Sequence, residues 1–265
     1  MSFVINPFVF AGSGYDPDAQ AYITAVELED GQALEVGVKD AINDFVVGCK
    51  SDGIWSAIKA ACILAGARTL DGALVPLVGT APTNANFVTG DYNRETGLGG
   101  NGLTKFLKTN RLNSDDPQNS KHLSVYRSES EDRAASRCAI GTSQATGASY
   151  LLTTTTLRYG RIHHSTGPAL SDTTSTAGFW GTNRSISTAC DQRYNGLNYT
   201  ESVASSTPYN VMLTVFGRSG SLTPTSATQL SNARISFYSI GESLDLALLD
   251  SRVSTLMTAL AAAIP

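Results

Sequence analysis

Hydrophobic positions change their period twice along the chain. Asp16-Pro17-Asp18 is a helix start, with proline tolerated in the first turn and acids favoured near the N-terminus, and Ala21, Ile23, Val26 and Leu28 follow up to Gly31. Leu34, Val38, Ile42, Phe45 and Cys49 then step by three and four, one stripe of an amphipathic helix. After Ser51-Asp52-Gly53, the residues Ile54, Ile58, Ala61, Cys62 and Ala65 predict a third helix, which Gly66 can close. At the other end Leu249, Val253, Leu256, Leu260 and Ala263 return to helical spacing behind Ser243, a plausible N-cap. This terminal helix is expected to pack on the strands or on the N-terminal helices.

From Leu70 the pattern shortens, and Gly, Pro, Asn and Thr punctuate β-rich runs, as in an all-β sandwich or barrel. Predicted strands lie at 87–89, 104–109, 122–127, 137–141, 150–156, 158–163, 179–181, 184–187, 209–217 and 234–240. Leu123 and Val125 alternate with Ser124 and Tyr126, and Ile235 and Phe237 with Ser236 and Tyr238. Period two predicts one buried and one wet face, the habit of antiparallel sheets.

Composition narrows the function classes. Charged residues are 16% of the 265, against roughly 25% in soluble domains, and Ser, Thr, Asn and Gly take their place. Uncharged polar surfaces of this kind suit proteins packed against neighbours. The net charge of −4, with no Lys/Arg block, argues against nucleic acid as a partner. The apolar run Leu256 to Ile264 is too short to span a bilayer, and the N-terminus lacks the basic start of a secretory signal, so synthesis in a cytosol is expected.

Candidate chemistry is sparse. Cys49, Cys62, Cys138 and Cys190 lack zinc spacing and read as reduced thiols. His163 and His164, adjacent on a strand, point to opposite faces and read as surface or interface polar groups. Glu129-Ser130-Glu131-Asp132 places two carboxylates on one strand face without a partner pair, and reads as a solvated loop. The Gly97–Gly102 stretch lacks the Gly-Lys-Ser/Thr of a phosphate loop. Asn113 to Ser120 offers oxygen ligands without the spacing of a cation loop. No catalytic set, metal site or cofactor motif emerges.

A family resemblance rests on Asp52-Gly53-Ile54-Trp55, Gly66-Ala67-Arg68-Thr69-Leu70 and Ala73-Leu74-Val75-Pro76-Leu77-Val78-Gly79. It continues through Asp91-Tyr92-Asn93-Arg94-Glu95-Thr96-Gly97-Leu98, Gly102 to Leu107, and the closing Ile235 to Leu244. These stretches resemble a group of phage-encoded virion proteins that carry a concanavalin A-like (LamG-like) sandwich. The resemblance implies a mainly β chain with flanking helices, an antiparallel jelly roll, and a place in the virion as a tail-fibre, baseplate or capsid-decoration component. It also implies partners in other virion proteins and further copies of the chain, a trimer being the expected assembly. The catalytic Glu-x-Asp-x-x-Glu strand of glycosidases in that class is missing here, so no enzyme is expected and a glycoside hydrolase is the remote alternative.

The expected organisation is an apolar arm and hinge over 1–14, a helical segment over 15–69, the sandwich over 70–242 and a closing helix over 243–265. The arm residues Phe3, Val4, Ile5, Phe8, Val9 and Phe10 are the candidate assembly element. Tyr194, Tyr199, Trp180 and Tyr209 are candidates for a ligand or interface loop, since aromatics among Asn and Asp form sugar platforms and protein interfaces alike. A carbohydrate-binding adhesin that recognises host surface polysaccharide is the second reading.

Overall fold

A computed structural model describes residues 14–164, 166–167, 169–172 and 176–265. The candidate arm from Phe3 to Phe10 lies outside the described residues. In chain order the elements begin with α1 (Pro17–Asp30), α2 (Val36–Ser51), β1 (Ile58–Ile63), α3 (Leu70–Ala73), β2 (Thr83–Ala85), β3 (Tyr92–Asn93) and β4 (Gly97–Gly99). They continue with β5 (Phe106–Leu112), β6 (Lys121–Glu129), β7 (Arg137–Thr142), β8 (Tyr150–Thr153), β9 (Leu157–Arg161), β10 (Leu170–Ser171) and β11 (Gly178–Ile186). Last come β12 (Ala189–Tyr194), β13 (Leu197–Ser202), β14 (Met212–Val215), β15 (Arg218–Ser219), β16 (Arg234–Gly241) and α4 (Leu246–Ala263).

Two eight-stranded sheets stack as a sandwich. The first runs β13-β12-β11-β6-β16-β4-β3 with β1 also on β16; the second runs β10-β9-β8-β7-β14-β5-β2 with β15 also on β7. Among the described residues, all pairings between strands are antiparallel except β15 with β7. Leu123, Val125, Trp180, Ile235 and Tyr238 of the first sheet meet Leu107, Ile140, Leu151, Leu213 and Val215 of the second in one core. A second core lies on the other face of the first sheet, where Phe179 and Phe237 pack under Val26, Phe45, Leu249, Val253 and Leu256 of the helices. The molecule is therefore three layers, helices over sheet over sheet. The face carrying Ser124 and Tyr126, expected to be wet, is covered: Ser124 is buried and Tyr126 packs against the helical core.

The expected third helix is a strand. Trp55–Ala57 forms one 3₁₀ turn and β1 then pairs antiparallel with β16, Ile63 opposite Phe237. Ile58, Ala61 and Ile63 enter the helical core while Ala60, Cys62 and Leu64 enter the core between the sheets. A strand apolar on both faces has no period of two, and its residues also fit a helical spacing. The break between helical segment and sandwich at 69/70 is corrected accordingly, because β1 belongs to the first sheet.

The helices keep most of their expected stripes. Leu34, Val38, Ile42, Phe45 and Cys49 are all buried beneath α2. On α1 the buried set is Ala19, Tyr22, Ile23 and Val26, and Leu28 is 78% exposed rather than in the stripe. Asp245, not Ser243, caps α4, its Oδ1 accepting from the Ala247 and Leu248 amides. Ser243 instead meets the Ser120 hydroxyl at 3.1 Å. By length and mean hydropathy of 1.3, α4 could cross a membrane; here Leu246, Leu249, Leu256 and Leu260 are buried on the side that packs against α2 and β11, and Leu248 is exposed.

The residues that carried the family resemblance tie the helices to the sheet. Arg94 donates to Glu35 through both terminal nitrogens, at 3.1 and 2.7 Å, and to the carbonyls of Gly66 and Ala67. Asp30 accepts from the Arg68 and Thr69 amides at 2.7 and 2.9 Å, and the Tyr92 hydroxyl donates to Ala67. Gly97, at φ 91°, lies so close to β16 that a Cβ would stand 2.4 Å from the Ile235 carbonyl oxygen.

Candidate functional site

The hairpin β12–β13 and strand β11 present a polar ladder on the face that carries the helices. Asn183 stands opposite Asp191, and Asp191 opposite Thr200; one rung along, Arg193 stands opposite Asn198. Asn195 and Gly196 make the hairpin, at φ 51° and 74°, and Tyr194 pairs directly with Leu197 across them. Both residues in the left-handed region is the two-residue turn that matches strand twist, and Asn-Gly is its preferred sequence.

The first turn of α4 closes the other side. Asn183 Oδ1 accepts the Leu244 amide at 3.0 Å, and Arg193 Nε donates to Asp250 Oδ2 at 2.7 Å, so helix and hairpin are pinned at two points. Arg193 also donates to Asn198 Oδ1 at 2.8 Å, leaving the Asn198 amide nitrogen as a donor. The Thr200 hydroxyl donates to Asp191 Oδ1 at 2.7 Å, leaving the second Asp191 oxygen as an acceptor. Between helix and hairpin lies a cleft of about 350 Å³ lined by Asn183, Asp191, Asn198, Thr200, Asp245 and Ala247 among others. Planar amides, carboxylates and a hydroxyl at hydrogen-bond spacing, beside an apolar wall of Leu244, Leu246 and Ala247, can bind a polyhydroxylated ligand by paired donors and acceptors.

The aromatic candidates take other positions. Trp180 is fully buried and Tyr194 is 3% exposed, so neither lies in a loop surface. Their rings meet edge to face at 5.9 Å, with the Arg127 guanidinium 5.0 and 5.5 Å from the two centroids. Tyr199 is half-buried on the inner face, 5.3 Å from the Arg158 guanidinium, which lies 3.7 Å from Tyr194. Tyr209 is 45% exposed in the connection to β14 and does not line the cleft. The flanking Asn198 and Thr200 face the cleft because successive side chains of a strand alternate. The signal for them in the sequence is the Asn195-Gly196 turn, which sets this register.

The remaining ionisable candidates are structural. Glu131 is buried, not solvated: Arg127 donates to its two oxygens at 2.6 and 2.8 Å and Thr153 to one at 2.9 Å. Burial pushes its carboxyl up, but the Arg127 charge and hydrogen bonds outweigh this and hold it below the ordinary range. Glu129 meets Arg234 at the surface. His122, His163 and His164 are all buried, correcting a surface role for the pair. Burial lowers the His122 and His163 imidazoles to about 4, and each donates its Nδ1–H to a backbone carbonyl, that of Glu242 and of Gln118. In the Asn113–Ser120 loop, Asp116 is buried between Lys121, at 2.6 Å, and Arg111. All four cysteines are free and buried, with thiols pushed up to about 11 or 12 by desolvation. Among the described residues no group of three His, Cys, Asp or Glu side chains could hold a metal ion.

Fold and cleft together define an all-β sandwich with a helical base. No family model and no curated protein matches the sequence. Among solved structures the chain resembles the botulinum neurotoxin serotype D binding domain, with a TM-score of 0.51 at 9% identity over 78% of this chain and 52% of that one. The receptor binding domain of the neurotoxin C/D mosaic serotype aligns with a TM-score of 0.48 at 8% identity, over 76% of this chain and 51% of the other. The NanB sialidase of Streptococcus pneumoniae, as its K499G mutant, aligns at 0.39 and 10% identity over 58% of this chain and 27% of the enzyme. The chain thus spans about half the length of the neurotoxin domains, and the first likeness bears on the fold alone.

Proposed function

We propose that this chain is a non-catalytic carbohydrate-binding module that holds a surface glycan in the cleft between the α4 N-terminus and the β12–β13 hairpin. The cleft itself carries the reading: Asn183, Asp191, Asn198 and Thr200 stand on adjacent rungs of one sheet face, held rigid by Arg193 and Asp250. Neighbouring sugar hydroxyls both donate and accept, and an amide beside a carboxylate answers both roles. A binding role on such a sandwich is in keeping with the neurotoxin neighbour, which is named a binding domain. A non-enzymatic role is supported by the state of Glu131, whose carboxylate is locked to Arg127 and kept ionised, the reverse of what a general acid needs.

The sequence resemblance to phage virion proteins supports placing the module on a phage particle, as a fibre, baseplate or capsid-decoration component. The test is a glycan array of bacterial surface polysaccharides probed with the wild-type chain and with Asn198→Ala/Thr200→Ala. Both residues are exposed, so the variant keeps its fold. The expected result is binding to a defined set of glycans, weakened about tenfold or more in the variant, on the order of 1–2 kcal/mol for two hydrogen bonds. A chain that binds no glycan, or a variant that binds as well as wild type, overturns the assignment.

A further inference from the structure

We infer that a second groove, on the helical layer between α1 and the β1–β2 connection, docks an apolar, basic peptide segment of a partner protein. This rests on α1 and its neighbours alone and is independent of the glycan reading. Two depressions, of about 390 and 370 Å³, share Ala25, Val75 and Pro76 and so form one trough along α1. Its walls are apolar and stiff: Trp55 stands toward one end, Pro76 and Pro82 lack amide donors, and Leu28 stands at the other end. Leu28 is 78% exposed, a large aliphatic side chain on a helix whose stripe of Ala19, Tyr22, Ile23 and Val26 is already buried in the helical core. A leucine so placed gains nothing from the fold of this chain.

The charges choose the occupant. Glu29 and Asp71 both line the Leu28 end, and neither has an ion-pair partner among the described residues. Asp18 lines the Trp55 end, where it is shared between Lys50 at 2.6 Å and the Trp55 indole at 3.1 Å. No Lys or Arg lines either depression. With two carboxylates beside an apolar floor, a lysine or arginine can lay its aliphatic stem on Leu28 while its head meets a carboxylate. The partner segment therefore combines apolar side chains with at least one basic residue. The uncharged run Phe3 to Phe10 of a second copy lacks that residue.

Trp55 supplies the readout, since the other tryptophan, Trp180, is fully buried between the sheets. The full chain is titrated with acetylated nonapeptides alternating leucine with lysine, with serine or with glutamate, following indole fluorescence. The leucine–lysine peptide is expected to shift the Trp55 emission saturably, at least tenfold tighter than the leucine–serine peptide, with no response to leucine–glutamate. Leu28→Asp should abolish the response, and Glu29→Lys/Asp71→Lys should reverse the preference toward leucine–glutamate; these side chains are exposed, and an unchanged circular dichroism spectrum confirms the fold. Equal binding of the serine and lysine peptides overturns the proposal, as does retention of the lysine preference in the charge-swapped variant. A concentration-dependent dimer lost in Leu28→Asp assigns the groove to a second copy instead. Tighter peptide binding after deletion of residues 1–13 assigns it to the chain's own arm, and either result also overturns the proposal.

Discussion

Arg127 shows how much of this molecule is decided by single buried charges. Its side chain is fully buried, it donates to both oxygens of Glu131, and it spreads over the Trp180 and Tyr194 rings. Arg127→Ala leaves the Glu131 carboxylate uncompensated and is expected to cost about 3–5 kcal/mol. Arg127→Met with Glu131→Leu, which removes both charges and keeps volume, should cost much less in a denaturant titration. Glu35 offers a pH-dependent case. The Arg94 hydrogen bonds, with the Arg94 and Arg68 charges, depress its carboxyl from 4.5 to about 2. A depressed folded value contributes stability that is present above 4.5 and lost as pH falls toward about 2. Glu35→Gln should therefore lower the melting temperature at pH 7, by an amount equivalent to about 1 kcal/mol after solvent screening. That gap should close between pH 4.5 and 2 as wild-type Glu35 takes up its proton; a gap independent of pH would show that the ion pair does not hold the helices.

At the scale of elements, what could be read in advance followed from clean periodicity. α2 and α4 each bury one stripe, and their residues announced it; β6 buries Leu123 and Val125 as alternation required. β1 was illegible because it sits between two cores, and a strand wetted by neither face carries no alternation to detect. Phe237 was assigned the same face as Ile235 and lies on the opposite one, because the pairing of β16 with β6 slips between these residues. Such a bulge is a tertiary event with no local signature strong enough to place it. The cleft was half legible: the aromatic residues of β12 and β13 stand out in the sequence, whereas the polar residues between them face the helix. Gly97 tests the joint between these elements. Gly97→Ala pushes a methyl against the Ile235 carbonyl at a backbone angle unfavourable to alanine, and should destabilise by about 2 kcal/mol or more in thermal melts. Gly14→Ala, with open space around it, should be neutral.

For the whole molecule, the helical layer is structural before it is anything else. It covers Phe179 and Phe237 on the first sheet, and Arg252–Asp52 and Arg193–Asp250 fasten α4 to α2 and to the hairpin. Removing residues 246–265 uncovers that core and one wall of the cleft together. The truncated chain is expected to lose cooperative melting and glycan binding at once, as followed by calorimetry and the array. If it melted as sharply as wild type, the helix would be an appendage and the cleft would have to be placed elsewhere. Low charge had suggested contact with neighbours, and part of that signal is spent internally: the sheet face read as solvent-exposed is this chain's own interface.

The pairing of Ile63 with Phe237 sets an order of events for a ribosome making this protein. β1 emerges early, apolar on both sides, and must wait for nearly the whole sandwich to be translated before β16 arrives to pair with it. Closing a loop of that length is slow relative to local helix formation. A chain cut short anywhere before β16 therefore presents an unpaired apolar strand, which marks it for chaperones and proteases. Only copies that reach β16 hide that mark.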